Sequence, residues 1–361
     1  MRTDTPSPMP LSVPLSPDTP PPIILVFENN PSLALLVGQH DQHLALIEQS
    51  LGVRLSCRGS QIVIRGNVEN SHLAQQVLES LYSNLNAGQP IDADIIASTI
   101  RMVAPKAKQA KQKARPLSEG EESSDRLSSD NLPEIKTKKG NILPRSPGQA
   151  QYMHHLAHQK MVFGVGPAGT GKTFLAVAQA VAMLHAGLVD RIILSRPAVE
   201  AGERLGFLPG DMKEKIDPYL RPLYDALHIM MPAEQINKRM VSGEIEVAPL
   251  AFMRGRTLAH AYVILDEAQN TTSAQMKMFL TRMGSGTHMV ITGDLSQVDL
   301  PAGTVSGLKD AIETLHNIEG IATMRFTSAD VVRHPLVARI VDAYDKKKTG
   351  HTRNVKKISP S

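Results

Sequence analysis

The sequence contains no tryptophan and a single cysteine, Cys57, and aromatic residues make up only 4% of its 361 residues. One cysteine excludes an internal disulfide framework and is typical of a reducing compartment. The shortage of aromatic rings disfavours a nucleic-acid surface built on base stacking. No apolar run reaches the length of a membrane span, and the proline-rich start lacks a signal-peptide pattern. We therefore expect a cytoplasmic protein with no membrane partner.

The bulk composition leaves room for two ordinary domains with tails. The hydrophobic content of 42% is enough for real cores. The net charge of +4 is consistent with binding to a polyanion, although the position of the charge matters more than its total. Residues 346–361 form a basic tail, which is either simply solvated or attracts nucleic acid without sequence preference.

A glycine-rich stretch in the middle of the chain fits the P-loop pattern G-x-x-x-x-G-K-S/T at every fixed position. It follows an apolar run that reads as a buried strand and precedes a helix rich in Ala, Val and Leu. Main-chain N–H groups of such a loop wrap the phosphates, Lys172 reaches the β/γ-phosphates, and the Thr173 hydroxyl completes the shell of a Mg²⁺. The sequence therefore predicts binding of ATP with Mg²⁺. The predicted loop residues are Gly166, Pro167, Ala168, Gly169, Thr170, Gly171, Lys172 and Thr173.

A second apolar strand ends in two carboxylates, Asp266 and Glu267, which is the Walker B arrangement. Asp266 is expected to hold Mg²⁺, and Glu267 is expected to orient and activate the attacking water. A later strand leads into Gln297, which is suited to contact the γ-phosphate or the lytic water. A glutamate that activates water would waste a phosphoryl donor, so these residues favour ATP hydrolysis over a small-molecule kinase.

The order of elements around these motifs predicts an α/β fold, a doubly wound and mainly parallel sheet. Apolar runs at 191–195, 262–266, 288–293 and 321–326 alternate with helical segments, as buried parallel strands do. Ligands of such sheets bind at the carboxyl ends of the strands, where the polar motifs of this chain fall.

A small α+β domain is legible in residues 23–103, after a Pro-rich tail (1–22) that we expect to be disordered. Its order of helix, break, helix, hairpin and helix resembles a KH RNA-binding module, whose G-x-x-G loop clamps the nucleic-acid backbone. The loop here reads Gly38-Gln39-His40-Asp41, and a carboxylate in place of the second glycine would repel a phosphate. Both RNA binding and a protein-contact role stay open for this domain. Residues 104–143 read as a flexible charged linker.

The motifs of the second domain, residues 144–345, are similar to those of superfamily 1 helicases and, more closely, of the PhoH-like ATPase family. The resemblance is carried by Asp266-Glu267-Ala268-Gln269, by the runs at 195–210 and 253–258, and by Asp330-Val331-Val332-Arg333-His334. It implies a RecA-like P-loop NTPase core. It also implies an adenine-reading glutamine in this region, with Gln149 and Tyr152 as the candidate contacts, although Gly148 stands where Asn is more usual.

Family resemblance further implies an ATPase that works on RNA or in ribosome-related RNA maturation, beside a small endoribonuclease of the YbeY type. Such helicases use two RecA-like cores, whereas this chain has room for one. We therefore consider an RNA-linked ATPase, a helicase when oligomeric, or a nucleotide-gated scaffold for the nuclease. Arg254 and Arg256, which flank Gly255, are candidate RNA contacts. The alternative is that both arginines only cover the edge of the sheet at the protein surface.

Charge on the transferring phosphoryl group usually requires an arginine finger, supplied in cis or by a neighbour. The missing second core leads us to expect a neighbouring subunit as the source and, by resemblance, a hexameric ring. Arg333 is our candidate catalytic finger, with Arg196 and Arg204 as rivals.

Overall fold

The computed structural model describes residues 20–112, 133–197 and 212–332, together with Val337 and Ile340. The chain divides into two compact units, Met1–Ser123 and Ser124–Ser361. Residues 1–19 of the predicted tail (1–22), the middle of the predicted linker and the basic tail at 346–361 lie outside the described residues, as do Arg204 and Arg333.

Residues 20–112 of the first unit form a three-stranded antiparallel sheet and four α-helices. The hairpin strands alternate in burial, and Ile62 and Ile64 lie on the core face with no exposed surface. Asn29 and Asn67 cap two of the helices through their side-chain oxygens. The elements are β1 (Ile23–Val26), α1 (Asn30–Val37), α2 (Gln42–Leu51), β2 (Arg54–Arg58), β3 (Gln61–Arg65), α3 (Val68–Asn86) and α4 (Ala93–Gln112), and the sheet order is β1-β3-β2.

The predicted order of helix, break, helix, hairpin and helix is present in this unit, with α4 added at its end. The break at residues 38–41 is a tight turn in which His40 and Asp41 have positive φ angles of 52° and 58°. The structure differs from the predicted linker (104–143) at both ends. The helix α4 continues to Gln112, and residues 135–142 form a hairpin whose Ile135 is buried in the core of the second unit.

The second unit is built on a six-stranded sheet in the order β11-β6-β10-β9-β7-β8, with every neighbouring pair parallel. Its strands are β6 (Met161–Val165), β7 (Arg191–Arg196), β8 (Ile245–Pro249), β9 (Ala261–Leu265), β10 (His288–Gly293) and β11 (Ile321–Arg325), and the hairpin strands are β4 (Ile135–Thr137) and β5 (Gly140–Ile142). Its helices are α5 (Pro147–His158), α6 (Lys172–His185), α7 (Met212–Met230), α8 (Ala233–Val241), α9 (Ser273–Leu280) and α10 (Gly307–Leu315).

Helices cover both faces of this sheet. Side chains of α5 to α8 pack with one set of strand residues, and those of α9 and α10 pack with the other set. Strands buried on both faces require continuous apolar runs, and β9 has five buried residues out of five. The predicted doubly wound parallel α/β fold is therefore confirmed. Within the described ranges, no helix is both long and apolar enough to span a bilayer.

Candidate nucleotide site

The P-loop connects the carboxyl end of β6 to the first turn of α6. Gly166 has a φ of 149°, and a Cβ placed there would lie 2.6 Å from the main-chain oxygen of Phe326. Gly171 has a φ of 84° and is the N-cap residue of α6. A Cβ placed there would lie 3.0 Å from Gln149 Nε2. A side chain at either position would disturb the close main-chain wrapping that phosphate binding requires.

The ammonium group of Lys172 lies over the loop itself. Its Nζ donates to the main-chain oxygens of Gly166 at 2.7 Å and of Pro167 at 2.8 Å, and the residue is 9% exposed. A positive charge held over main-chain carbonyls beside a helix N-terminus makes this edge of the sheet attractive to an anion. Lys172 therefore already lies where a bound phosphate would contact the loop.

The carboxylate of Asp266 joins the P-loop helix to the end of β9. The hydroxyls of Thr173 and Thr292 each donate to Asp266 Oδ1 at 2.7 Å, and Asp266 is 5% exposed. Hydroxyl and carboxylate oxygens are the donors that Mg²⁺ prefers, usually with several waters and phosphate oxygens completing its shell. The donor chemistry of Thr173 and Asp266 thus fits a Mg²⁺ shared with nucleotide phosphates.

Glu267 follows Asp266 in a strained backbone conformation, with a φ of 53°. Non-glycine residues in this region are uncommon and recur at functional sites. The side chain of Gln269 donates to Glu267 Oε2, and its own oxygen accepts the main-chain N–H of Asp294 at 3.0 Å. Gln269 Nε2 also lies 3.2 Å from the main-chain oxygen of Gln297. Gln269 thereby fixes the orientation of Glu267 relative to the loop after β10.

Gln269 belongs to the Asp266–Gln269 run that carries the family resemblance, but the sequence predicted no role for its side chain. It is 1% exposed, so its amide is fully committed to these contacts. The predicted residue Gln297 lies in the same loop, with an exposed side chain and its main chain bonded to Gln269. Sequence spacing alone could not show which of the two glutamines contacts Glu267.

Arg196 ends β7 beside both acidic residues. Its Nη2 lies 2.9 Å from Glu267 Oε1 and 3.3 Å from Asp266 Oδ2, and its side chain is 17% exposed. A half-buried arginine between two carboxylates offsets their mutual repulsion. Arg196, one of the three arginines considered as fingers, therefore lies at the site within this chain's own fold.

Gln149 braces the P-loop from α5. Its Nε2 donates to the main-chain oxygen of Thr170 at 3.0 Å, and its Oε1 accepts the Arg145 N–H at 2.7 Å. Tyr152 is instead a core residue with no exposed surface, packed edge-on against Phe326 with ring centroids 5.2 Å apart. Burial, followed by the neighbouring Tyr262 and Asp266, raises the pKa of the Tyr152 hydroxyl well above its usual range. The structure does not place the Tyr152 ring where it could contact an adenine, because the sheet and α5 enclose it.

Arg256 is not a free RNA contact in this structure. Its two terminal nitrogens lie 2.6 and 2.7 Å from the carboxylate oxygens of Glu246 on β8. This hydrogen bonding raises the pKa of the guanidinium further. Arg254 is exposed. Arg256 therefore fits the alternative prediction, an arginine on the surface at the sheet edge, because its two terminal nitrogens bind the Glu246 carboxylate.

Asp330 ties the segment after β11 to the start of α5. Its carboxylate accepts from Ser146 Oγ at 2.8 Å and from the main-chain N–H of Thr327 at 2.9 Å. Gly148 lies against it, and a Cβ there would be 2.4 Å from Asp330 Oδ1. The unusual glycine at position 148 thus makes room for this carboxylate. Two residues on, the Val332 N–H donates to the Gly169 oxygen of the P-loop at 2.9 Å.

We expect Asp330→Ala to lower the free energy of unfolding of the second unit by about 2–4 kcal/mol, because buried donors lose a charged acceptor. Thermal unfolding measures the change. Asp190→Ala removes an exposed carboxylate and serves as the control. Equal melting temperatures of Asp330→Ala and wild type would contradict the bracing role.

Comparison with known proteins places these motifs in one family. A family profile described as PhoH-like protein matches residues 141–345. A PhoH-like protein of Bacillus subtilis is 49% identical over 319 residues, which cover 88% of this chain and 95% of that relative. Protein PhoH of Escherichia coli K12 is 47% identical over 205 residues, covering 56% of this chain and 58% of that relative. The solved Pif1 helicase of Candida albicans overlaps at a TM-score of 0.30 with 15% identity, covering 56% of this chain and 43% of that one, and so low an overlap supports no conclusion.

Proposed function

This chain belongs to the PhoH-like protein family of P-loop NTPases, and we propose that it is a cytoplasmic, Mg²⁺-dependent ATPase that works in RNA metabolism. The observation that carries the proposal is the hydrogen bond of 2.7 Å between Thr173 of the P-loop helix and Asp266, which follows β9. It joins the phosphate-binding loop to a buried carboxylate, and a second carboxylate, Glu267, follows immediately. This is the donor set that nucleoside triphosphate hydrolysis requires.

Each side chain has a separate task in the proposed reaction. The loop N–H groups and Lys172 bind the phosphates, while Thr173 and Asp266 hold the metal. A bound Mg²⁺ would neutralise charge on the β- and γ-phosphate oxygens. Glu267 accepts the proton of the attacking water, and Gln269 keeps its carboxylate oriented toward that water.

Arg196 must change its contacts when the phosphates bind. Its guanidinium compensates Asp266 and Glu267 at 3.3 and 2.9 Å in the structure. A metal ion bound at Asp266 would compensate that carboxylate, and the guanidinium would then turn to charge on the γ-phosphoryl group. Arg196 is thus the cis candidate for a finger, and Arg333 the candidate supplied by a neighbouring subunit.

The link to RNA is tested by ATP turnover with and without single-stranded RNA. We expect RNA to stimulate phosphate release by the intact chain. A second function, a nucleotide-gated scaffold for an endoribonuclease of the YbeY type, is favoured by the number of cores. The described residues hold one six-stranded parallel sheet, whereas translocation along RNA needs two grips that move relative to each other. Stimulation by the nuclease alone, and none by RNA, would replace the first function by the second.

We propose that the active form is a hexameric ring in which Arg333 of one subunit acts on the nucleotide of its neighbour. Subunits carrying Arg333→Ala and subunits carrying Lys172→Ala should each be inactive alone. Mixed and reassembled, they should recover part of the wild-type turnover, because some interfaces then hold both an intact P-loop and an intact finger. Full activity of a strictly monomeric protein would rule out the ring, and absent recovery would favour Arg196.

A further inference from the structure

The three-stranded sheet of the first unit has one open face. Its core face holds Ile62 and Ile64, which pack against the helices. Successive side chains of a strand point to opposite faces, so the intervening residues share the open face. The strand register groups them in three rows: Arg54 and Arg65, then Ser56, Val63 and Ile24, then Arg58, Gln61 and Val26.

All charged groups on this open face are positive. Residues 23–103 hold four arginines and no lysine against seven acids, a net charge of −3. Arg54, Arg58 and Arg65 are all exposed and stand on this face, and no acid occurs in the three strands. None of the three arginines makes an ion pair with another described residue. With Lys106, Lys108 and Lys111 of α4 added, residues 20–112 hold seven bases against seven acids and are neutral, whereas the charged groups of the open face are all cationic.

Exposed apolar side chains border the arginines on the same face. Ile24 and Val26 of the edge strand β1 are 55% and 65% exposed. Neither belongs to the buried core of the unit. The face thus combines an apolar border with cations, and cations are the groups with which grooves for single-stranded nucleic acid follow the backbone. It has no aromatic ring for base stacking, so contacts to the phosphate backbone must dominate.

The turn between α1 and α2 is poorly suited to phosphate. The turn at residues 38–41 ends in Asp41, and the adjacent cavity is lined by Asp92 and by neutral or histidine side chains, with no lysine or arginine. Asp41 and Asp92 would repel a phosphate backbone there.

We propose that this open sheet face, defined by Arg54, Arg58 and Arg65 with Ile24 and Val26, binds the backbone of single-stranded RNA. The proposal rests on the proposed function, because it names the surface through which RNA reaches the ATPase. Arg54 and Arg58 are four residues apart on one strand, about 14 Å, so they contact separate phosphates. The interaction is independent of sequence and depends on salt.

The test is binding of a fluorescent single-stranded RNA of mixed sequence to the full chain over a series of KCl concentrations. The slope of log K against log salt is negative. The triple substitution Arg54→Gln, Arg58→Gln and Arg65→Gln should make it shallower by about 2, for three contacts of about 0.7 each. Affinity at about 0.1 M salt should fall about a hundredfold, because a slope change of about 2 acts over the decade of salt concentration below about 1 M. The triple Arg→Lys variant keeps the charge and should retain most of the slope.

A matched control removes three exposed cations of the second unit, by Lys160→Gln, Arg191→Gln and Lys309→Gln. It changes the net charge equally and should leave the slope unchanged. If wild type binds RNA and the Arg54/Arg58/Arg65 variant keeps its slope, the open sheet face is not the site, while the proposed function stands. If that variant loses binding to polyglutamate but not to RNA, the face takes an acidic protein segment instead. Failure of wild type to bind RNA at all would remove the open-face site and the link to RNA, and would leave the ATPase site to be tested by phosphate release.

Discussion

Lys172→Ala is expected to abolish ATP turnover, with a loss of at least about 10²–10³-fold. Lys172 is 9% exposed, and its ammonium group lies within 2.8 Å of two P-loop carbonyl oxygens. Its removal takes away the positive charge that meets the β/γ-phosphates. Steady-state phosphate release and binding of a fluorescent ATP analogue measure the two parts of the effect.

Lys160→Ala is the matched control for this prediction. Lys160 is exposed and precedes β6, at the opposite edge of the sheet from the loop. It should leave turnover and nucleotide affinity unchanged. Wild-type turnover in Lys172→Ala would show that hydrolysis occurs elsewhere in the chain.

Glu267→Gln is expected to separate binding from chemistry. The variant should bind ATP as tightly as wild type but hydrolyse it about 10²-fold more slowly or worse, the size expected for loss of a positioned general base. The amide has nearly the shape of the carboxylate, so Asp266 and the P-loop keep their contacts. Single-turnover phosphate release, with nucleotide affinity measured in parallel, checks both halves of this prediction.

Glu313→Gln, on the exposed side of α10, controls for the loss of one negative charge. It should match wild type in both measurements. If Glu267→Gln and wild type hydrolyse ATP at the same rate, another group activates the water. A loss of ATP affinity together with rate would assign Glu267 to binding and leave the base unidentified.

The parallel sheet was readable from the sequence because its strands are buried on both faces. Such strands need unbroken apolar runs, and those at β6, β9 and β10 are followed by the polar residues of the site. The placement of Thr173 near Asp266 follows from the same topology, since parallel strands bring their carboxyl ends to one edge.

The partners of individual side chains away from the P-loop were not readable from the sequence. Arg256 was considered as an RNA contact, yet it pairs with Glu246, which lies on the edge strand β8. Tyr152 was considered as an adenine contact, yet the rotation of α5 directs its ring into the core. The helical pattern shows that such residues share a face, but it does not show which neighbour covers that face. The hairpin at 135–142 was missed because it buries one isoleucine, Ile135, too little to produce a periodic signal.

The most direct measurement of the central claim is phosphate release from ATP by the purified full chain, with Mg²⁺ and without any phosphoryl acceptor. The arrangement of Lys172, Thr173, Asp266 and Glu267 predicts steady release of inorganic phosphate that stops when EDTA removes the metal. Tight ATP binding with no phosphate released, or release that appears only when an acceptor is added, would contradict hydrolysis as the function of this site.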